Sequence, residues 1–126
     1  MQWRARYGEE FVCRFLTNAG WTILARNYRG IGFEVDVIAQ KGQVVIGCEV
    51  KTRSQFFYTN EFIISARQIR RIAKGLLTFC QKFNLETQTL RIDGFFVEKK
   101  SQKTKPRFSW LKNIGDNLCF DLDLLG

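Results

Sequence analysis

The 126-residue chain contains no histidine. That excludes Ser-His and Cys-His nucleophile pairs, a histidine general base and a histidine-ligated metal. Cysteine is sparse and scattered: positions 13, 48, 80 and 119 lie more than thirty residues apart, and none forms a C-x-x-C pair. Zinc-ribbon and thioredoxin-type sites are therefore excluded. Each cysteine falls in an apolar periodic segment and reads as a buried, reduced thiol, which suits the cytoplasm. No apolar run approaches the ~18 residues of a membrane helix. The N-terminal "MQWRARYGEEF" has no apolar signal segment. A soluble cytoplasmic protein with no membrane partner is expected. There is one proline and no repeat, linker or long polar tract. Residues 1–126 therefore read as a single domain, which at this size buries roughly 65% of its unfolded surface.

What is present is a hydrophobic content of 45% and a basic excess, 20 Lys and Arg against 12 Asp and Glu, for a net charge of +8. The excess is spread over both halves of the chain: 8 basic against 5 acidic through Asn60, then 12 against 7. Such a balance favours anionic partners, nucleic acid first and an acidic membrane surface second.

Periodicity predicts the elements. Residues 4–19 read as a helix with Phe11, Val12, Phe15, Leu16 and Ala19 on one stripe and Gly20 as its stop. "WTILARNYR" (21–29), "FEVDVIA" (33–39) and "QVVIGCEVKTR" (43–53) read as strands. They are joined by turns at 30–32 and 40–42. After the loop "SQFFYTNEF", Ser65 is an N-cap for a second helix over 66–83. Its stripe is Ile69, Ile72, Ala73, Leu76, Cys80 and Phe83. "LRIDGFFVE" (90–98) is a further strand, 99–107 a basic loop, and the tail holds one or two short strands. The order α-β-β-β-α-β predicts an α/β fold, a central mixed sheet flanked by helices.

One stretch conflicts with burial. "FEVDVIAQKGQVVIGCEVKTR" threads Glu34, Asp36, Glu49 and Lys51 through strand-forming sequence. Such residues are rarely buried unless paired or bound to a metal. Alternation puts Glu34, Asp36 and Ile38 on one face and Val35, Val37 and Ala39 on the other. Val45, Gly47, Glu49 and Lys51 share a face of the next strand. An antiparallel hairpin then brings Asp36 and Glu49 towards one end of the sheet. On the first helix, Glu9 flanks the apolar stripe and leans over the sheet. Glu10 lies opposite, near Arg14, as a solvated charge. On the second helix Gln68 flanks the stripe, while Arg67, Arg71 and Lys74 face solvent.

Two or three carboxylates with a lysine suit a hard divalent cation, Mg²⁺ or Mn²⁺, which takes oxygen ligands. Such an ion supplies a nucleophile without a histidine base and offsets repulsion between the acids and a phosphodiester. Lysine can orient water or stabilise charge on phosphorus. Asp-x₁₂-Glu-x-Lys thus fits a phosphodiester hydrolase. The rival reading of Glu49 and Lys51 is a surface cross-strand ion pair, with Asp36 facing water. Against it, "VVIGCEVK" is apolar on both faces until Glu49. Arg53, Phe56, Phe57 and Tyr58 read equally as nucleic-acid contacts or as lid packing.

These residues resemble a known family, the YraN-like bacterial proteins, candidate endonucleases of the restriction-endonuclease-like superfamily. The resemblance rests on "YGEEFVCRFLTNAGWTILARNYR", "FEVDVIA", "CEVKTR", the helix after "ISARQ", "RIDGFFV" and "WLKNI". It implies a restriction-endonuclease-like core and metal-dependent DNA cleavage related to that of archaeal Holliday-junction resolvases. It places the active site on Glu9, Asp36, Glu49 and Lys51. Glu34 matches the glutamate of G-E-I-D, Arg53 the arginine of K-T-R and Arg29 the last arginine of R-N-x-R. Two positions depart: Phe33 replaces a glycine, which narrows the site, and Gln68 replaces a lysine, which removes a phosphate-binding charge. Asp36, Glu49 and the Val50 backbone carbonyl would hold the metal, Glu9 a second ion or a water. Arg29, Arg53, Gln68 and Arg70 would contact nucleic acid, with Glu34 behind the ligands. The implied substrate is branched, recombining or damaged DNA, and junction cleavage would call for a homodimer. Two alternatives stand beside this: a nucleic-acid-binding module that does not cut, and an assembly protein using its exposed aromatics.

Overall fold

The computed structural model describes residues 2–56 and 63–115. Phe57, Tyr58, Cys119 and any strand after residue 115 lie outside the described residues.

Helix α1 (Trp3–Asn18) is followed by strands β1 (Thr22–Gly30), β2 (Phe33–Lys41) and β3 (Val44–Arg53), helix α2 (Ala66–Lys82), and strands β4 (Thr89–Glu98) and β5 (Arg107–Leu111). The five strands form one sheet in the order β1-β2-β3-β4-β5. All pairs are antiparallel except β3 with β4, which are parallel. A parallel pair needs a long crossover, and α2 provides it. The α-β-β-β-α-β order expected from periodicity is the observed one, with β5 added at the edge beside β4.

Local chemistry explains the boundaries. Gly20, at φ +93°, ends the α1 turn. The β2–β3 turn is tighter than the 40–42 expected: Lys41 pairs with Val44, leaving only Gly42 and Gln43 to reverse the chain. Gly42 takes φ +59°, as a two-residue hairpin turn requires. Ser65 caps α2 as expected. Its hydroxyl accepts from Gln68 N at 3.1 Å, and the Gln68 side chain accepts from Ser65 N at 3.1 Å, closing a capping box.

The helices cover opposite faces of the sheet. Val12, Cys13 and Leu16 of α1 pack on Val37, Ala39, Ile46, Cys48, Phe95 and Val97. On the other face, Ile69, Ile72, Ala73, Leu76, Phe79 and Cys80 of α2 pack on Val35, Ile38, Val45, Ile92 and Phe96. Each large side chain buried this way contributes on the order of 1.5–3 kcal/mol. The α2 stripe differs at its end. Phe83 is 52% exposed, because the helix stops at Lys82 and Phe83 leaves the helical face; Phe79 takes the buried position. Phe11 and Phe15 are half-buried, edge-on to Phe108 of β5. Cys13, Cys48 and Cys80 are free and buried.

One buried charge ties the far side of the sheet together. Asp93 of β4 has no solvent exposure. It accepts two hydrogen bonds from Arg91, both 2.9 Å, one from Trp110 Nε1 at 2.8 Å and one from Asn113 N at 2.9 Å. The carboxylate is fully satisfied, so burial does not leave it unpaired. It clamps β5 and the turn after it to β4. Removing it strands the Arg91 guanidinium and two further donors. Asp93→Ala is therefore expected to destabilise the protein by about 3–5 kcal/mol in urea unfolding.

Candidate active site

The β2–β3 ladder ends at Val37↔Cys48, although β2 runs back to Phe33 and β3 on to Arg53. Beyond that pair β2 stays bonded to β1 and β3 to β4. The sheet therefore forks. Carrying the register one step past the last pair sets Asp36 opposite Glu49. The fork is bridged by one hydrogen bond: Val50 N donates to Asp36 Oδ2 at 2.8 Å. The N–H and C=O of one strand residue point to the same side. The Val50 carbonyl thus also faces the fork. A cavity of about 180 Å³ opens there, lined by Glu34, Asp36, Glu49, Gln68 and Arg71.

The strict alternation expected for β2 fails at this point. Val37 and Ala39 pack under α1 and Ile38 under α2, as alternation demands, but Val35 also packs under α2. The break lies at Asp36. Its neighbour on β1 is irregular as well: the ladder runs from Arg26↔Val37 to Tyr28↔Val35, passing over Asn27 and Asp36, and Asn27 adopts φ +50°. Asparagine tolerates this left-handed conformation better than most residues. Paired irregularities of this kind re-aim side chains beside functional sites. On β3 the alternation holds: Val45 packs under α2, Gly47 lies against Ile72 and Leu76, and Glu49 opens into the cavity.

Glu9 reaches the same region from α1 and is 7% exposed. Its carboxylate accepts a hydrogen bond from the Asn27 side chain. The helix approaches closely because residue 8 is glycine: a Cβ there would collide with the Thr52 side chain on β3. Glu10 is exposed as expected, but its partner is Arg26 of β1, at 3.0 Å, not Arg14. The segment Arg26-Asn27-Tyr28-Arg29 thus anchors one turn of α1. Arg26 holds Glu10, Asn27 holds Glu9, and Tyr28 packs on Phe33 and Phe79.

The electrostatics are those of crowded acids. Burial is the main cause that pushes Asp36 up to about 6; Glu9 and Glu34 add to it, while the Val50 N–H and Arg29 oppose it. Glu49 is pushed up to about 8, first by burial, then by Asp36, with Lys51 opposing. Burial also raises Glu9, against Asn27, Arg26 and Arg29. The two carboxyls of the fork titrate as a pair.

Of the residues singled out in the sequence, Asp36, Glu49 and Glu34 meet in the cavity, and Glu9, Arg29 and Lys51 act on them electrostatically. Gln68 lines the cavity, but its amide is held in the capping box. Arg53 is exposed, with Nη1 donating to Thr52 O at 3.0 Å. Arg70 lies on the exposed face of α2 and does not line the cavity. Phe33 does not narrow the site: its ring packs between Gly30 and Gly75, tilted against Tyr28 with centroids 5.5 Å apart. Arg71 and Lys74, expected in solvent, are half-buried. Arg71 lines the cavity, and Lys74 lies against the turn at Gly32. Helical phase alone sets Arg71 in solvent; it reaches the cavity because the fork opens beneath its turn of α2. Asn27 was missed too; its signal is an asparagine inside a strand-forming run, where that residue is disfavoured.

The donor set fits a hard divalent cation. Asp36 and Glu49 line one small cavity, the Val50 carbonyl faces the same side of β3 as its N–H, and burial works against the charge of both carboxylates. Among the described residues no three acids or thiols close into a ready-made cage. Mg²⁺ commonly takes only one or two carboxylates and completes its shell with water and substrate oxygen.

Comparison with known proteins places the chain. The profile of the family described as "Uncharacterised protein family UPF0102" matches residues 8–107. The chain belongs to this family. It is the YraN-like family to which the sequence motifs pointed. A UPF0102 protein of Desulfitobacterium hafniense is 36% identical over 114 residues, covering 86% of this chain and 93% of its own. One of Symbiobacterium thermophilum is 38% identical over 93 residues, covering 72% and 78%. Among solved structures, Archaeoglobus fulgidus Hjc, a Holliday junction resolvase from an archaeal hyperthermophile, aligns with a TM-score of 0.45 and 20% identity over 82% of this chain and 74% of that one.

The geometry gives two testable outcomes. Gly8→Ala gains about 1 kcal/mol of helix propensity but overpacks against the stiff, buried Thr52. A net loss of about 1–2 kcal/mol is expected in urea unfolding, because the collision outweighs the propensity. The second concerns pH. A carboxyl whose folded pKa is raised contributes stability that is full below its unfolded pKa, near 4, and lost as pH rises through the folded value. Glu49→Gln should therefore raise the Tm in EDTA at pH 9, by several degrees, and the gain should shrink as pH falls and vanish below about pH 4. Adding Mn²⁺ at pH 8 should raise the Tm of the wild type and not of the variant.

Proposed function

We propose that this protein is a Mg²⁺- or Mn²⁺-dependent endodeoxyribonuclease. The observation that carries the reading is the forked sheet, where Asp36 and Glu49 share a half-buried cavity beside Lys51 in a chain of net charge +8. A binding module gains nothing from buried acids beside phosphate. A surface ion pair would leave Glu49 in solvent beside Lys51, whereas Glu49 is half-buried and lines the cavity with Asp36.

Asp36 and Glu49 would hold the ion, with the Val50 carbonyl. When bound, the ion supplies an activated water at neutral pH and neutralises charge on the scissile phosphate. Lys51 follows Glu49 by two residues on the same strand, so it stands on the cavity side. There its ammonium donates to the attacking water or to a phosphate oxygen as charge develops. Glu9 is held by Asn27 and orients water at the edge of the acid cluster. Glu34 keeps the local field negative and favours the cation. Arg71, with Arg29, which stands across from Glu34 on β1, receives the phosphate flanking the cut; Gln68 lends a neutral wall. Arg53 and Arg70 lie farther out and contact the backbone of a longer substrate. Branched, recombining or damaged DNA is the substrate class, supported by the motif resemblance alone.

The test is a panel of linear duplex, single strand, flap and four-way junction, each with Mg²⁺ and with Mn²⁺. Metal-dependent cutting should be lost in Asp36→Ala, which should bind DNA more tightly as phosphate repulsion falls. Lys51→Ala should slow cutting by about 10²–10³-fold while keeping the Mn²⁺-induced thermal shift. No cutting of any substrate, with equal binding by wild type and Asp36→Ala, would replace this reading with the binding module.

A further inference from the structure

A second cavity, about 430 Å³, lies on the outer face of α1, away from the acid cluster. Three of its walls are aromatic: Trp3, Tyr7 and Phe11. They follow one another at every fourth residue, so they form a row along the helix with a rise of about 6 Å per step. The Tyr7 and Phe11 rings are close to parallel, 21° apart with centroids at 6.2 Å. Arg6 and Arg14 flank the row from the same helix, and Lys99 closes it from the loop after β4. The one acid in the lining, Glu10, is neutralised by Arg26 at 3.0 Å.

The far rim is fixed in place. Lys99 is only 6% exposed. Its Nζ donates to the Thr104 carbonyl and sits 4.6 Å above the Tyr7 ring. Its backbone N–H donates to Arg53 O at 2.9 Å, and its carbonyl accepts from Arg4 Nε at 3.0 Å. A buried ammonium held by one carbonyl and one ring, on a backbone pinned at both its N–H and its carbonyl, is a preformed wall and not a loose charge run. The basic loop over 99–107 thus has its first residue built into a wall.

Aromatic faces in a row between cations match one ligand chemistry: flat bases that stack, joined by phosphates that pair with the flanking charges. A duplex hides its base faces, and a membrane surface needs a continuous apolar belt that these half-buried rings do not offer. We propose that this groove binds single-stranded nucleic acid. The inference takes its ligand class from the nucleic-acid reading above but does not require cutting. Because α1 turns Glu9 inward and Tyr7 outward, a strand in the groove lies about one helix diameter, ~10 Å, from the carboxylates. The groove would then hold the unpaired arm of a branched substrate.

The test uses the full chain in EDTA, where no cutting occurs, and the fluorescence anisotropy of a labelled 15-mer of oligo(dT), with a duplex of equal length alongside. Circular dichroism checks that each variant is folded. Trp3→Ala should weaken oligo(dT) binding about tenfold and leave duplex binding within twofold. Arg6→Glu with Arg14→Glu should weaken it further and flatten the salt dependence. Folded variants that bind oligo(dT) as the wild type does would overturn the proposal, as would equal losses for oligo(dT) and duplex in Trp3→Ala. A protein that cuts nothing, yet loses oligo(dT) binding in these variants, would uphold the groove and overturn only the nuclease.

Discussion

Val50 donates its backbone N–H to a side chain, Asp36, where a regular sheet would supply a neighbouring strand. The rest of the site depends on that substitution. Two strands that part within a sheet expose backbone groups to partial burial, and an unpaired buried donor costs about 1–3 kcal/mol. The Asp36 carboxylate removes that penalty and sets the width of the fork. It also commits Asp36 to a position facing Glu49, where burial works against the charge of both. The fork is thus stable as backbone and strained as electrostatics. A cation held there would relieve the second condition without disturbing the first.

The surroundings make this arrangement rigid. Gly8 lets α1 settle on Thr52, so Glu9 arrives at the fork on a helix. Arg26 and Asn27 hold two successive acids of that helix, Glu10 and Glu9, from the strand next door. Asn27 does so from a left-handed backbone that coincides with the break in alternation at Asp36. On the far side, Asp93 gathers Arg91, Trp110 and Asn113 into one satisfied cluster, so the parallel β3–β4 pair is held at its outer edge. The protein therefore uses its acids in two ways. Asp93 has every lone-pair direction answered by a donor, whereas burial works against the charge of Asp36 and Glu49.

Much of this was legible in the chain. The α1 and α2 stripes, the Ser65 cap, the hairpin and the β4 strand follow from local periodicity and from residues with narrow conformational preferences. The choice of Glu9 over Glu10 follows from helical phase, which a single element determines. What was not legible required two elements at once. Alternation misplaced Val35, because the kink at Asp36 depends on Asn27, nine residues away on another strand. Arg71 looked solvent-facing by phase, because phase does not reveal that the fork opens beneath that turn of α2. Phe33 looked like an obstruction, because its path between Gly30 and Gly75 exists only once α2 is docked.

By itself the sequence determined the inventory and the periods: no histidine, a basic surface, acids placed inside apolar strands, and two amphipathic helices around a sheet. These are properties of composition and of neighbours along the chain, where backbone geometry alone sets which residues share a face. Only the tertiary structure decided that the β2–β3 ladder stops at Val37↔Cys48, which carboxylate meets which, and that Asp93 is a structural anchor while Asp36 is not. Those outcomes turn on register, on one left-handed residue and on the closeness of a helix to a strand, and each is settled by contacts between residues far apart in the chain.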